Sequence, residues 1–309
     1  MPPRLKKFLA ALVLCFTVSP LPARPFTTDS IPESRHGNSR LPYVAGLQVA
    51  GYSTALIALS QAWYKDYPRT SFHFHNDLPD WFQQDKLGHV AATNHLSRLS
   101  AASLSWAGLG NRQSAWWGMA SGMGFLTAVE ILDGYSLEWG ASLSDMAANT
   151  LGAAAFLSQQ LLWEEQRISI KYSYSQSKLA HYRPALLGSS LPERMLKDYN
   201  GQTFWLSLNI RSFLSPESKF PSWLNLALGH GAYGMLGSRE NPSFHNGMAL
   251  PEMNRYRQWY LAPDIDFSKI PVNAPWLKAF LGAVNFLKMP APALEYNSEQ
   301  GLRLHWIFF

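Results

Sequence analysis

The sequence predicts an α+β protein: an N-terminal bundle of about four apolar helices, followed by a strand-rich C-terminal half containing one short helix. Three observations lead there. Between residues 41 and 163 lie long stretches nearly free of charge and dense in Ala and Gly. From about residue 168 the pattern changes to apolar/polar alternation at period two, the signature of strands. Neither half shows a βαβ rhythm or a glycine-rich phosphate loop, so a nucleotide ligand has no support.

Composition narrows the class. The chain has 309 residues, of which 15% are charged and 14% aromatic, with 12 Trp. Soluble domains usually carry about 25% charged residues. Few charges with many Trp and Tyr point to membrane contact, because amphipathic rings favour the lipid–water interface. The mean hydropathy of −0.13 opposes a chain made mainly of spanning helices. The net charge of +5 is spread along the chain with no dense basic run, so nucleic acid is not an expected partner. The expected partner is membrane lipid or another envelope component.

Residues 1–23 have the layout of a secretory signal peptide: Arg4, Lys6 and Lys7, then an apolar run from Phe8 to Val18. That run is too short to span a bilayer. Cys15, the only cysteine, lies inside it. Leu14 stands where a lipid-attachment site wants a small residue, which disfavours lipidation. Export leaves a mature chain without disulfides. Residues 24–42 are rich in Pro, Ser and Arg and read as a linker. The helical domain is expected over 43–166 and the β-rich region over 167–309.

Helices are expected at 41–64, 80–107, 113–129 and 146–163. The first is a 24-residue stretch without Asp, Glu, Lys or Arg, and its length alone permits a transmembrane helix. If all four span, the strand-rich half lies in the periplasm, with Lys65 and Arg69 on the inner side; a soluble four-helix bundle is the alternative. Gly118 and Gly122 have the spacing that lets helices approach closely. In the second half, ISIKYSYS, TFWLSLNIRSFL, WLNLALGHGAYG, RYRQWYLAPDIDF and GLRLHWIFF read as strands, and 275–288 as a short amphipathic helix. Alternating strands ending in an aromatic residue are similar to outer-membrane barrel proteins, but five or six strands fall below the usual minimum of about eight. A small sheet or partial barrel packed on the helical part is preferred.

Three polar clusters interrupt the helices: Asp85, Lys86 and His89; Glu130 with Asp133; and Ser144, Asp145 and Asn149, with Gly152 a turn further on. Asp85 and His89, like Asp145 and Asn149, are four apart and share a helix face. The blocks DKLGH, a Glu in a Gly-rich helix, and SDMAANTLG resemble the VanZ-like group of membrane proteins. More closely they resemble the YfiM-type predicted periplasmic lipoproteins, a domain family of unknown function. The resemblance covers about residues 80–165. It implies a bacterial envelope location and a helical arrangement, and no reaction.

Charges in an apolar helical environment are costly unless paired or metal-bound. The first expectation is therefore a structural polar lock in which Lys86 pairs with Glu130 or Asp145 and Asn149 bridges helices. The second is a binding site for a lipid-like or envelope ligand. The third is chemistry: His89 as general base with Asp145 or Glu130, or a divalent cation on His89, Glu130 and Asp145, in an envelope hydrolase or transferase. No other cofactor is evident. His73 and His75 read as a surface loop, and His95 and Arg98 as a solvated or headgroup-facing helix face.

Overall fold

A computed structural model describes residues 40–64 and 67–309; the expected signal peptide, Cys15, most of the linker and Lys65 lie outside the described residues. The protein is α+β, with an N-terminal helical part and a strand-rich C-terminal half. In chain order the helices are α1 (Leu41–Leu59), α2 (Gln84–Trp106), α3 (Asn111–Gly134), α4 (Leu143–Trp163), α5 (Pro184–Leu187), α6 (Leu191–Lys197) and α7 (Pro275–Val284). The strands are β1 (Ile168–Tyr174), β2 (Gln202–Leu208), β3 (Leu224–Tyr233), β4 (Phe244–His245), β5 (Met248–Ala249), β6 (Tyr256–Ile265), β7 (Ala291–Asn297) and β8 (Gly301–Phe308).

The chain divides into two compact units. The first comprises residues up to 77, 92–166 and 271–283; the second comprises 78–91, 167–270 and 284–309. Helix α2 contributes its first two turns to the second unit and the remainder to the first.

In the first unit, α3 packs on α2 through the glycines the sequence singled out. A Cβ on Gly118 would stand 2.6 Å from Ala101 Cβ and 2.7 Å from Ala101 N, so only glycine permits this approach. Ala101, Ala115 and Phe156 form the shared core of α2, α3 and α4. Helix α1 joins α2 by side-chain hydrogen bonds: Gln48 Nε2 donates to Ser103 Oγ at 2.6 Å, and the Tyr52 and Ser100 hydroxyls meet at 2.5 Å. No described helix is long and apolar enough to cross a membrane, which corrects the spanning-helix reading and the topology built on it. The reason is visible in α2, where Asp, Lys, Asn, Arg, two His and several Ser interrupt the apolar positions.

In the second unit a six-stranded antiparallel sheet runs in the order β1-β2-β3-β6-β7-β8. Its curvature is strong enough that Lys171 of β1 reaches Asp264 of β6, across two intervening strands, at 2.8 Å. Residues 286–288 cover the outer edge of β1: Tyr172 N donates to Phe286 O at 2.8 Å and Lys288 N donates to Tyr172 O at 2.9 Å. The five expected strands all form. Strand β7, which follows Pro290 and carries Pro292, was not among the five, and neither were the short helices α5 and α6.

The two faces of this sheet differ, and the concave one holds a small apolar core of Trp205, Ala227, Tyr260, Ala262 and Ala293 beside buried polar groups. The concave face carries Lys171, Ser207, Asp264 and Glu295, all buried. The convex face exposes Leu206, Leu228, Leu261 and Leu304. Trp205 lies on the concave side, donating Nε1–H to Ser173 Oγ at 2.9 Å. Gly229 stands opposite it because a Cβ there would meet the Trp205 ring at 2.7 Å.

Candidate functional site: polar clusters within each unit

The first cluster belongs to the second unit. Asp85 sits in the first turn of α2, where a negative charge complements the helix dipole. Its carboxylate accepts from Lys86 Nζ at 3.0 Å and from the Tyr199 hydroxyl at 2.7 Å. His89 Nε2 lies 3.9 Å away, one turn along the same face. Burial pushes the Asp85 pKa up, but the charges of His89 and Lys86 and the hydrogen bonds from Tyr199 and Lys86 outweigh it. The group is held below its ordinary value. Lys86 is buried and His89 half-buried.

The chain enters this helix through Trp81, Phe82 and Gln83, all with positive φ (49°, 50° and 62°). Left-handed backbone costs non-glycine residues on the order of 1–2 kcal/mol each. The turn is held from outside: Trp81 N donates to Ser238 O at 2.7 Å, Arg257 Nη1 donates to Phe82 O at 2.8 Å, and Arg255 and Arg257 stack on the Phe82 ring.

The second and third clusters belong to the first unit and meet at the start of α4. Ser142 is the N-cap of that helix, and its Oγ accepts from Asp145 N at 3.1 Å. Buried Glu130, near the end of α3, accepts from Ser142 N at 3.0 Å through Oε2. Asp77 Oδ1 accepts from the hydroxyls of Ser142 at 2.5 Å and Ser144 at 2.7 Å. The Glu130 carboxylate and the Asp145 backbone N–H therefore both bond the N-cap residue. Asp133 does not join them. It accepts from the Tyr64 hydroxyl at 2.7 Å, while its carbonyl accepts from Ser136 N and Gly140 N and closes the α3–α4 loop. A turn along α4, Asn149 Oδ1 accepts from Thr93 Oγ1 at 2.9 Å, and Asn94 Nδ2 donates to Gly152 O at 3.1 Å. These two bonds tie α4 to α2 at the positions where the sequence placed a polar stripe.

His73 and His75 lie on an extended segment paired with the α3–α4 loop: His73 N donates to Gly134 O at 2.9 Å, and His75 N donates to Ala141 O at 2.9 Å. His95 and Arg98 are half-buried and not on a fully solvated face, a departure that follows from the close packing of α2.

Sequence reasoning missed Tyr199, Asp77 and Ser142. Ser142 had a signal, since Ser142 and Asp145 have capping-box spacing. Tyr199 had none, because it is 114 residues from Asp85 in sequence.

A family described as Predicted periplasmic lipoprotein (DUF2279) matches residues 80–160, about a quarter of the chain. No curated protein and no solved structure shows significant similarity to it. The matched stretch contains all eight residues of the three clusters and ends before the strand-rich half.

Proposed function

We propose that this chain is a non-catalytic, membrane-associated protein of the bacterial cell envelope, in which the polar residues of the helical region are structural locks. The family description supports the envelope location. The finer YfiM-type and VanZ-like affiliations rest on the three sequence blocks alone.

The observation that carries the lock is how the carboxylates are used. Asp85 ties the start of α2 to Tyr199. Glu130 and Ser142 hold the start of α4. In each case the acid holds a helix terminus or a distant segment in place. Both Asp85 oxygens and Glu130 Oε2 are engaged in this way, which favours a structural role for these acids over that of a general base.

The test is thermal unfolding of His89→Ala and Tyr199→Phe. A hydrogen bond to a charged acceptor contributes about 1.5–3 kcal/mol, so Tyr199→Phe should lower stability measurably. His89→Ala should lower stability together with any envelope phenotype. Unchanged stability in both variants, with the phenotype of His89→Ala lost, would replace the lock with chemistry at His89. A stability that falls on chelation and returns with one divalent cation would favour the metal-ligand reading of His89, Glu130 and Asp145.

A further inference from the structure

The convex face of the sheet is organised in rows. Ile170, Leu206, Leu228, Leu261, Leu294 and Leu304 stand opposite one another in register across all six strands. The five leucines are exposed, Leu228 at 59%, whereas Ile170 on β1 is buried, so the open part of the row runs from β2 to β8. One row to one side, Trp259 pairs with Tyr296, 55% and 59% exposed. One row to the other side, Leu208, Leu226 and Pro263 are in register. None of these positions carries Asp, Glu, Lys or Arg.

The same unit shows which part of this face it hides. His230 stands in the Trp259 row itself, directly opposite Trp259, and Arg257 lies one row beyond it; these two make the polar end. Residues 82–84 lie over them: Gln84 Nε2 meets His230 Nδ1 at 2.8 Å, Arg257 donates to Phe82 O, and Arg257 also bonds Gln83. The chain thus covers the polar end of the face and leaves the leucine end open. Water as the only solvent would favour the reverse. On the concave side Lys171, Asp264 and Lys288 are enclosed together beside the buried Trp205, Ala227, Tyr260, Ala262 and Ala293, so the charged groups are kept off the convex face. That is the arrangement of strands facing lipid.

Resting on the envelope reading above, we propose that the convex face of the sheet is seated in the acyl region of a lipid bilayer, with the Trp259–Tyr296 row at the lipid–water interface. From the Trp259 row to the Pro263 row is four residues, about 14 Å at ~3.4 Å per residue. A hydrocarbon core is about 30 Å thick, so the face reaches through one leaflet. The aromatic rings fit the interface because each pairs an apolar body with one polar atom.

The experiment uses the full chain carrying Cys15→Ser, with a single cysteine introduced by Leu228→Cys, Leu261→Cys or Glu240→Cys. Each is labelled with an environment-sensitive fluorophore and mixed with phosphatidylethanolamine–phosphatidylglycerol vesicles. At 228 and 261 the label should shift to the blue and be quenched by lipids brominated on the acyl chain more than by aqueous iodide. At 240, beside the covered polar end, iodide should quench more. The double variant Leu228→Glu/Leu261→Glu should lose at least about tenfold in vesicle flotation while keeping its circular dichroism spectrum. Absence of acyl quenching at 228 and 261 overturns the proposal. So does a blue shift that needs no vesicles and grows with protein concentration, which would make a second copy the occupant. Fractionation of cells separates the two readings. Recovery in the envelope without acyl quenching refutes this face alone, and recovery outside the envelope refutes the envelope reading.

Discussion

Replacing Asp264 by Leu tests whether the concave side of the sheet depends on its buried charges. Asp264 has no exposed side-chain surface and stands 2.8 Å from Lys171 Nζ and 3.7 Å from Lys288 Nζ, both enclosed. It also accepts from Ser207 Oγ at 2.6 Å. Each ammonium has carbonyl partners as well, Ile265 O for Lys171 and both Pro263 O and Met289 O for Lys288. Carbonyl dipoles do not neutralise a charge. Removing the carboxylate leaves two buried cations without their counterion, and breaking such a pair from one side costs about 3–5 kcal/mol. For a unit of this size, each kcal/mol moves the midpoint by about 2–4 °C, so Tm should fall by about 10 °C. Near-ultraviolet circular dichroism is a direct assay, because Lys288 lies 5.0 Å from the centre of the buried Trp205 ring. The triple variant Lys171→Met/Asp264→Leu/Lys288→Met removes all three charges and should recover most of the loss. A single variant that costs less than about 1 kcal/mol, or a triple variant as unstable as the single, would refute the reasoning.

Three further outcomes follow from the helical residues. Asp85 is held below its ordinary pKa of 3.8, so its stabilising contribution is present above that value and lost as pH falls through the lower folded one. Asp85→Asn should therefore be less stable than the parent near neutrality, and the gap should narrow below about pH 4 in acid titrations followed by circular dichroism. On α3, Gly118→Val should destabilise by at least about 1–3 kcal/mol, because its Cβ meets backbone of α2. Gly124→Ala on the same helix meets nothing within 4 Å and should stabilise by about 0.5–1 kcal/mol, as read from denaturant midpoints.

Much of the fold is legible in the residues because it rests on local periodicity. Three of the four longer N-terminal helices fall close to the charge-poor stretches and α2 to the more polar 80–107 segment, and five strands follow the alternation. Strand β7 was hidden because proline at 290 and 292 disguises the alternation of Ala293, Glu295 and Asn297. The polar clusters were legible as clusters, since four-residue spacing places Asp85 with His89 and Asp145 with Asn149. Their partners were not, because Tyr199 and Thr93 are brought in by chain folding over 114 and 56 residues.

The sequence by itself determined the period of the longer helices and of five strands, the small residues that allow α3 to approach α2, and the aromatic-rich, charge-poor composition. Only the tertiary structure decided which side of the alternation is inside. A period of two says that Leu206 and Ser207 face opposite ways and nothing about which faces outward. Sheet curvature settles that by enclosing Ser207 with Asp264 and Lys171 and leaving Leu206 open. The choice depends on ion pairs and hydrogen bonds between strands far apart in the chain, contacts that no local pattern encodes.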